Sequence, residues 1–235
     1  MLVQKFDNFL QSVDLKSYRD KYSAIKIVEM NLPKDIQAIE LLYRIYWDKK
    51  EFCSFDDFYS IYKAEKRKKL ILFQKKTGMC KKCFEKGIKA RTYRTWASII
   101  TQIHAGYVAE SVFGNDSVKM SEILDHQDAD IQVLYKGFIL NYDVKKEANS
   151  GVMGRSHKPK KPIPGEKISI RYEVPNYETI TNPLKKRGVG MKKEFIRFKE
   201  KFLDTKILNV FKNGFVVFTP TIFEIKKKEI DNALK

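Results

Sequence analysis

Apolar residues recur at helical spacing through much of the N-terminal half. Ile36, Ile39, Leu42 and Tyr43 fall on one stripe and Phe55, Phe58, Tyr59 and Tyr62 on the next, so Pro33 to about residue 75 reads as helices with inward apolar sides. Asp35 and Ser54 stand where a side-chain oxygen caps such helices. Thr77 to Gly87 breaks the period and reads as a connection holding Cys80 and Cys83. The helical period returns from Thr92 to Phe113 through Trp96, Ile99, Ile100, Ile103 and Tyr107, and Gly114-Asn115-Asp116 ends it.

The pattern changes to strand character at Ala129 and keeps it to Val144, interrupted only by Lys136-Gly137. Glu147 to Pro164 mixes Gly, Ser and prolines with basic residues and reads as a long exposed loop. Ile168 to Val174 has the character of a short strand, and Pro175 to Gly190 that of a second loop. A basic amphipathic helix follows, with Phe195, Phe198, Phe202 and Leu203 on one side. Asn213-Gly214 between Ile207–Phe211 and Phe215–Phe218 signals a hairpin. The expected class is α/β: a mixed sheet flanked by helices, behind a helical N-terminal portion.

Composition narrows the partners. The 235 residues are 43% hydrophobic, enough for a real core, and carry 46 Lys and Arg against 29 Asp and Glu, a net charge of +17 and a pI near 9.6. Residues 1–40 balance to zero with six charges of each sign, whereas residues 145–201 hold sixteen basic and six acidic side chains. So local an excess favours a polyanion. A membrane surface is disfavoured: there is no run of 18 or more apolar residues and no lipidation motif. Met1 to Leu10 lacks the marks of a secretory signal, and three cysteines do not suggest a disulfide framework, so a reducing cytoplasm is expected.

The chemistry concentrates in the hairpin. A two-residue turn at Lys136-Gly137 sets Tyr135 against Phe138, Val133 against Leu140 and Ile131 against Tyr142, which brings Asp130 opposite Asp143 as a non-hydrogen-bonded pair. Alternation then gathers Asp130, Gln132, Asn141, Asp143 and Lys145 on one face and the apolar residues on the other. Opposed carboxylates repel, and a divalent cation with hard oxygen ligands offsets that repulsion. Lys145, two residues beyond Asp143, is placed to orient an attacking water and stabilise charge on a phosphate.

These residues resemble the PD-(D/E)xK nuclease signature, read here as Asp130, then Asp143-Val144-Lys145, with Ala129 where the signature has proline. Over some twenty residues the stretch is similar to type II restriction endonucleases, in particular a HincII-like branch. The resemblance implies a restriction-endonuclease-like mixed sheet, Mg²⁺ held by Asp130, Asp143 and the Val144 carbonyl, and Lys145 as the catalytic lysine. Asp128 is the rival for the first acid, and Glu110 the candidate for an acid on the preceding helix. Residues 91–235 would form the nuclease core, and residues 1–90 a helical subdomain for DNA clamping or dimerisation.

Cutting double-stranded DNA at a sequence needs phosphate contacts for position and base contacts for identity. Asn149 and Ser150 suit base edges, and Arg155, Lys158, Lys160 and Lys161 suit phosphates or guanine edges; Lys185, Lys186 and Arg187 form a second expected contact. Two cuts in a symmetric site call for a homodimer. Cys80 and Cys83 have metal-ligand spacing, but structural zinc needs four ligands and the chain offers no second such pair, so free thiols are favoured. A nuclease of the same fold that reads DNA shape, and a non-catalytic basic DNA-binding protein, are the competing readings.

Overall fold

The structure, a computed structural model, describes residues 2–22, 24–147, 163–185, 188 and 190–235. The chain divides into two compact units, Ser12–Ile103, and Met1–Gln11 with His104–Lys235. The boundary expected at residue 90 falls inside a continuous helix.

Helix α1 (Leu2–Ser12) buries Phe6 and Leu10. Phe6 meets Tyr107 edge to face at 5.5 Å, and Asp7 holds the buried His104 at 2.8 Å. The Ser12–Ile103 unit is helical as expected: α2 (Leu15–Lys21), α3 (Lys26–Asn31), α4 (Ile39–Leu42) running into a π turn over Tyr43–Asp48, α5 (Phe55–Glu65) and α6 (Arg67–Thr77). Ser54 caps α5, its hydroxyl accepting the Asp57 N–H at 3.2 Å; Asp35 instead lies within a short 3-10 turn behind Pro33. The core is aromatic, and three of its ring polar groups are hydrogen-bonded. Trp96 Nε1 donates to the Tyr46 hydroxyl at 2.9 Å, which donates to the Cys53 carbonyl at 2.6 Å, and the Tyr62 hydroxyl donates to the Ile36 carbonyl at 2.8 Å.

Helix α7 (Lys81–Phe113) corrects the expected connection between Thr77 and Gly87, which shrinks to Gly78–Cys80. Gly87 sits inside the helix rather than ending it. A Cβ there would stand 2.8 Å from Val28 Cγ2, so the glycine lets α7 approach α3 closely. Read as a breaker, it is a packing residue.

The other unit holds a mixed sheet. Strands β1 (Val118–Lys119), β2 (Ile131–Tyr135), β3 (Phe138–Glu147) and β4 (Glu166–Glu173) lie side by side in chain order, with α8 (Glu122–His126) between the first two. The first three are antiparallel and β4 runs parallel to β3. Lys136 and Gly137 both have positive φ, 48° and 84°, and the β2–β3 register is the predicted one from Tyr135↔Phe138 to Ile131↔Tyr142.

The apolar face of this sheet buries Ile131, Val133, Leu140, Tyr142, Val144, Ile170 and Tyr172. After α9 (Tyr177–Thr181) and α10 (Lys193–Phe198), the expected second hairpin forms as β5 (Leu208–Val210) and β6 (Val216–Phe218), followed by α11 (Thr221–Ala233). Phe218 packs edge-on to Tyr172 at 5.1 Å and Phe223 to Tyr142 at 5.2 Å. These contacts seal one side of the sheet and leave β3 to present its other side. Among the described residues no helix is long and apolar enough to cross a membrane.

Candidate active site

Strand β3 carries Asn141, Asp143 and Lys145 at alternate positions, and so on one face. Gln132 on β2 reaches across to that face, its Nε2 donating to Asn141 Oδ1 at 2.9 Å. Lys145 Nζ lies 2.9 Å from Asp143 Oδ2. The parallel partner adds to the same face: Lys167, Ser169 and Arg171 stand beside Asn141, Asp143 and Lys145 in the β3–β4 register.

Asp130 departs from its predicted place. The ladder ends at Ile131↔Tyr142, and Asp130 donates its own N–H to the Tyr142 carbonyl at 2.9 Å, so it does not pair directly with Asp143. Two successive residues thus oppose Tyr142, the signature of a β-bulge. The chain enters from a left-handed residue, Asp128 (φ 61°), after Ala129 N–H closes on the Leu124 carbonyl at 3.0 Å, and this entry prevents a further ladder step. The loss is made good by the side chain. Val144 N–H, which a longer β2 would have paired, donates to Asp130 Oδ2 at 2.6 Å.

The two acids remain close enough to repel. Asp130 is 6% exposed and Asp143 4%. Burial pushes the Asp130 carboxyl up to about 8 against the lowering pull of the Val144 amide, and the charge and hydrogen bond of Asp125 and the charge of Asp143 raise it further. Lys145 is raised chiefly by its hydrogen bond to Asp143. Its side chain is 43% exposed against 6% for that of Asp143, and Asp128 stands 3.7 Å from Lys145 Nζ and 3.9 Å from Lys167 Nζ.

Asp125 and Lys167 were not singled out from sequence. Asp125 lies in the acidic run Glu122, Asp125, Asp128, Asp130, a density that offered a signal; Lys167 becomes a neighbour only through parallel pairing, which offered none. Glu110 is held elsewhere: its Oε1 accepts the Asp116 N–H at 3.3 Å in the turn after α7. Lys185 is exposed beside a turn closed by the Leu184↔Met191 bridge. Asn149, Ser150, Arg155, Lys158, Lys160, Lys161, Lys186 and Arg187 lie outside the described residues. Cys80 and Cys83 are exposed free thiols, and among the described residues no three His, Cys, Asp or Glu converge as a metal-holding group.

The donor set nonetheless suits a hard cation. Asp130 and Asp143 supply carboxylate oxygens, and Val144, whose N–H points to the bulged edge, presents its carbonyl on that same edge. Burial, more than neighbouring charge, disfavours the ionised form of Asp130, and a bound divalent ion would favour it.

Two buried acids beside a half-exposed lysine on a mixed sheet form an arrangement with oxygen ligands for a hard cation and a positive charge for an anion. The family model described as TaqI restriction endonuclease matches residues 3–231, and the chain belongs to that family. It is 30% identical over 223 residues to the type II restriction enzyme TaqI of Thermus aquaticus, covering 92% of this chain and 83% of the relative. It is 29% identical over 245 residues to the type II restriction enzyme TthHB8I of Thermus thermophilus, covering all of this chain and 88% of the relative. No solved structure gives a significant match. The expectation of a type II restriction endonuclease is thereby borne out, with TaqI restriction endonuclease as the family matched.

Proposed function

We propose that this protein is a sequence-specific endonuclease that hydrolyses phosphodiester bonds of double-stranded DNA with Mg²⁺, as a type II restriction enzyme. One observation carries the site assignment: Lys145 Nζ lies 2.9 Å from Asp143 Oδ2, beside the buried Asp130. Family membership supports the choice of DNA as substrate.

Asp130, Asp143 and the Val144 carbonyl would hold Mg²⁺, which when bound neutralises the acids and stabilises negative charge growing on the scissile phosphate. The Asp130 carboxylate keeps the bulged edge in place through the Val144 N–H. Asp143 fixes the Lys145 ammonium, whose remaining hydrogens orient a water and a phosphate oxygen for in-line attack. Lys167 and Arg171, on the neighbouring strand, add positive charge along the approaching backbone. Water forms the new bond to phosphorus, one ester bond breaks, and the departing oxygen takes up a proton. A homodimer would deliver the two cuts of a symmetric site.

Plasmid digestion with and without Mg²⁺ tests this reading. The protein should yield discrete fragments only with the metal, and Asp143→Ala and Lys145→Ala should each lower the rate by at least about a hundredfold while keeping the wild-type melting temperature. Undiminished cutting by either variant would overturn the site, and absence of discrete fragments would overturn sequence specificity.

A further inference from the structure

The second concentration of positive charge lies in the Ser12–Ile103 unit, away in sequence from the catalytic hairpin. Residues 63–89 hold eleven basic and two acidic side chains. Four of these cations have acid partners: Lys63 with Glu85, Lys66 with Glu40, Lys69 with Asp35 and Lys89 with Asp56. The other seven, Arg67, Lys68, Lys75, Lys76, Lys81, Lys82 and Lys86, are exposed, and among the described residues no ion pair engages them. An unneutralised set this dense costs self-repulsion in the free protein, which a polyanion would relieve.

Its shape is as specific as its charge. At 100° per residue, Lys68 and Lys75 of α6 point within about 20° of each other, on the side away from the buried Leu70 and Phe73, and Arg67 falls between them and Leu70. Between α5, α6 and the start of α7 runs a groove of about 450 Å³, bordered by Arg67, Lys81 and the Lys63–Glu85 ion pair, with Gln74 among its polar groups and Leu70, Phe84 and Ile88 beneath. The last turn of α6 adds Lys75 and Lys76 nearby, and the first turn of α7 adds Lys82.

We infer that this surface, formed by α6 and the first turns of α7, is a phosphate-backbone contact for duplex DNA, separate from the residues that cut. It rests on the reading of the protein as a DNA endonuclease. It reads no sequence, because lysine and arginine set on phosphates contribute position and affinity alike on every duplex.

The test compares two variants of the full-length protein that lose the same charge. One carries Arg67→Gln, Lys75→Gln, Lys81→Gln and Lys82→Gln; the other carries Lys5→Gln, Lys16→Gln, Lys34→Gln and Lys49→Gln, exposed lysines of the first fifty residues, outside the basic segment. Binding to a duplex without the recognition site is measured against salt concentration, with thermal melts confirming that both variants fold. Each phosphate contact contributes about 0.9 to the slope of log affinity against log salt, so the first variant should lose about 3 to 4 from the slope and at least about tenfold in affinity at low salt. The second should track wild type. Equal losses in both variants, or an unchanged slope in the first while wild type binds, would overturn the surface. Retention of the first variant's DNA affinity together with lost binding to anionic lipid vesicles would also overturn it, in favour of a membrane partner. Wild-type protein that binds no duplex would sink the nuclease reading itself, a distinct result.

Discussion

Replacing Asp130 with asparagine removes a charge from a buried, acid-crowded position while keeping an oxygen to accept the Val144 N–H. The folded carboxyl is raised to about 8, against about 3.9 in an unfolded chain. Between those values the native state binds a proton that the unfolded state has lost, so stability falls as pH rises and levels off above the folded value. At pH 7 the difference amounts to about 4 kcal/mol, chiefly from burial, with smaller contributions from Asp125 and Asp143. The neutral asparagine side chain would carry no such burden. In urea titrations from pH 5 to 9 with a chelator present, the wild-type midpoint should fall up to about pH 8 and then level off while that of Asp130→Asn stays nearly level, and the variant should be the more stable at pH 8. Mg²⁺ at pH 8 should raise the wild-type midpoint and leave the variant unmoved. Parallel profiles, or a variant less stable at every pH, would refute the claim that the buried, ionised Asp130 carboxylate costs stability.

Gly87→Ala sets two effects against each other: alanine gains up to about 1 kcal/mol of helix propensity, but its Cβ would lie 2.8 Å from Cγ2 of the fully buried Val28. Overpacking should win by about 1–2 kcal/mol in denaturant titrations. Ser54→Ala removes the α5 cap and should cost about 1 kcal/mol in the same assay. The Asp231 carboxyl is held well below its usual range by Lys136, then Lys227 and the Tyr135 hydroxyl, at 2.7, 3.0 and 2.9 Å. Its stabilisation is present above the unfolded value and lost as pH falls through the folded one, so Asp231→Asn should lower the melting temperature at pH 7, by an amount that shrinks steadily as the melts are taken into acid.

How much was legible in the chain follows the range of the interaction. Local chemistry spoke clearly: the Lys136-Gly137 turn and alternation yielded the β2–β3 register, Asn213-Gly214 the second hairpin, and Ser54 its helix start, because each depends on residues a few positions apart. Asp143 and Lys145 were found for that reason, two apart on one strand. What the chain alone left open was set by partners distant in sequence. Gly87 reads as a breaker until α3 is seen against it, and Lys167 is remote until β4 pairs in parallel with β3. Asp130 belongs to both accounts: its acid was identified from the hairpin, but its position off the ladder, on the Val144 amide, was decided by how α8 delivers the chain to β2. A turn's backbone torsions are written in its own residues, whereas a bulge or a close helix crossing is settled only by what packs there.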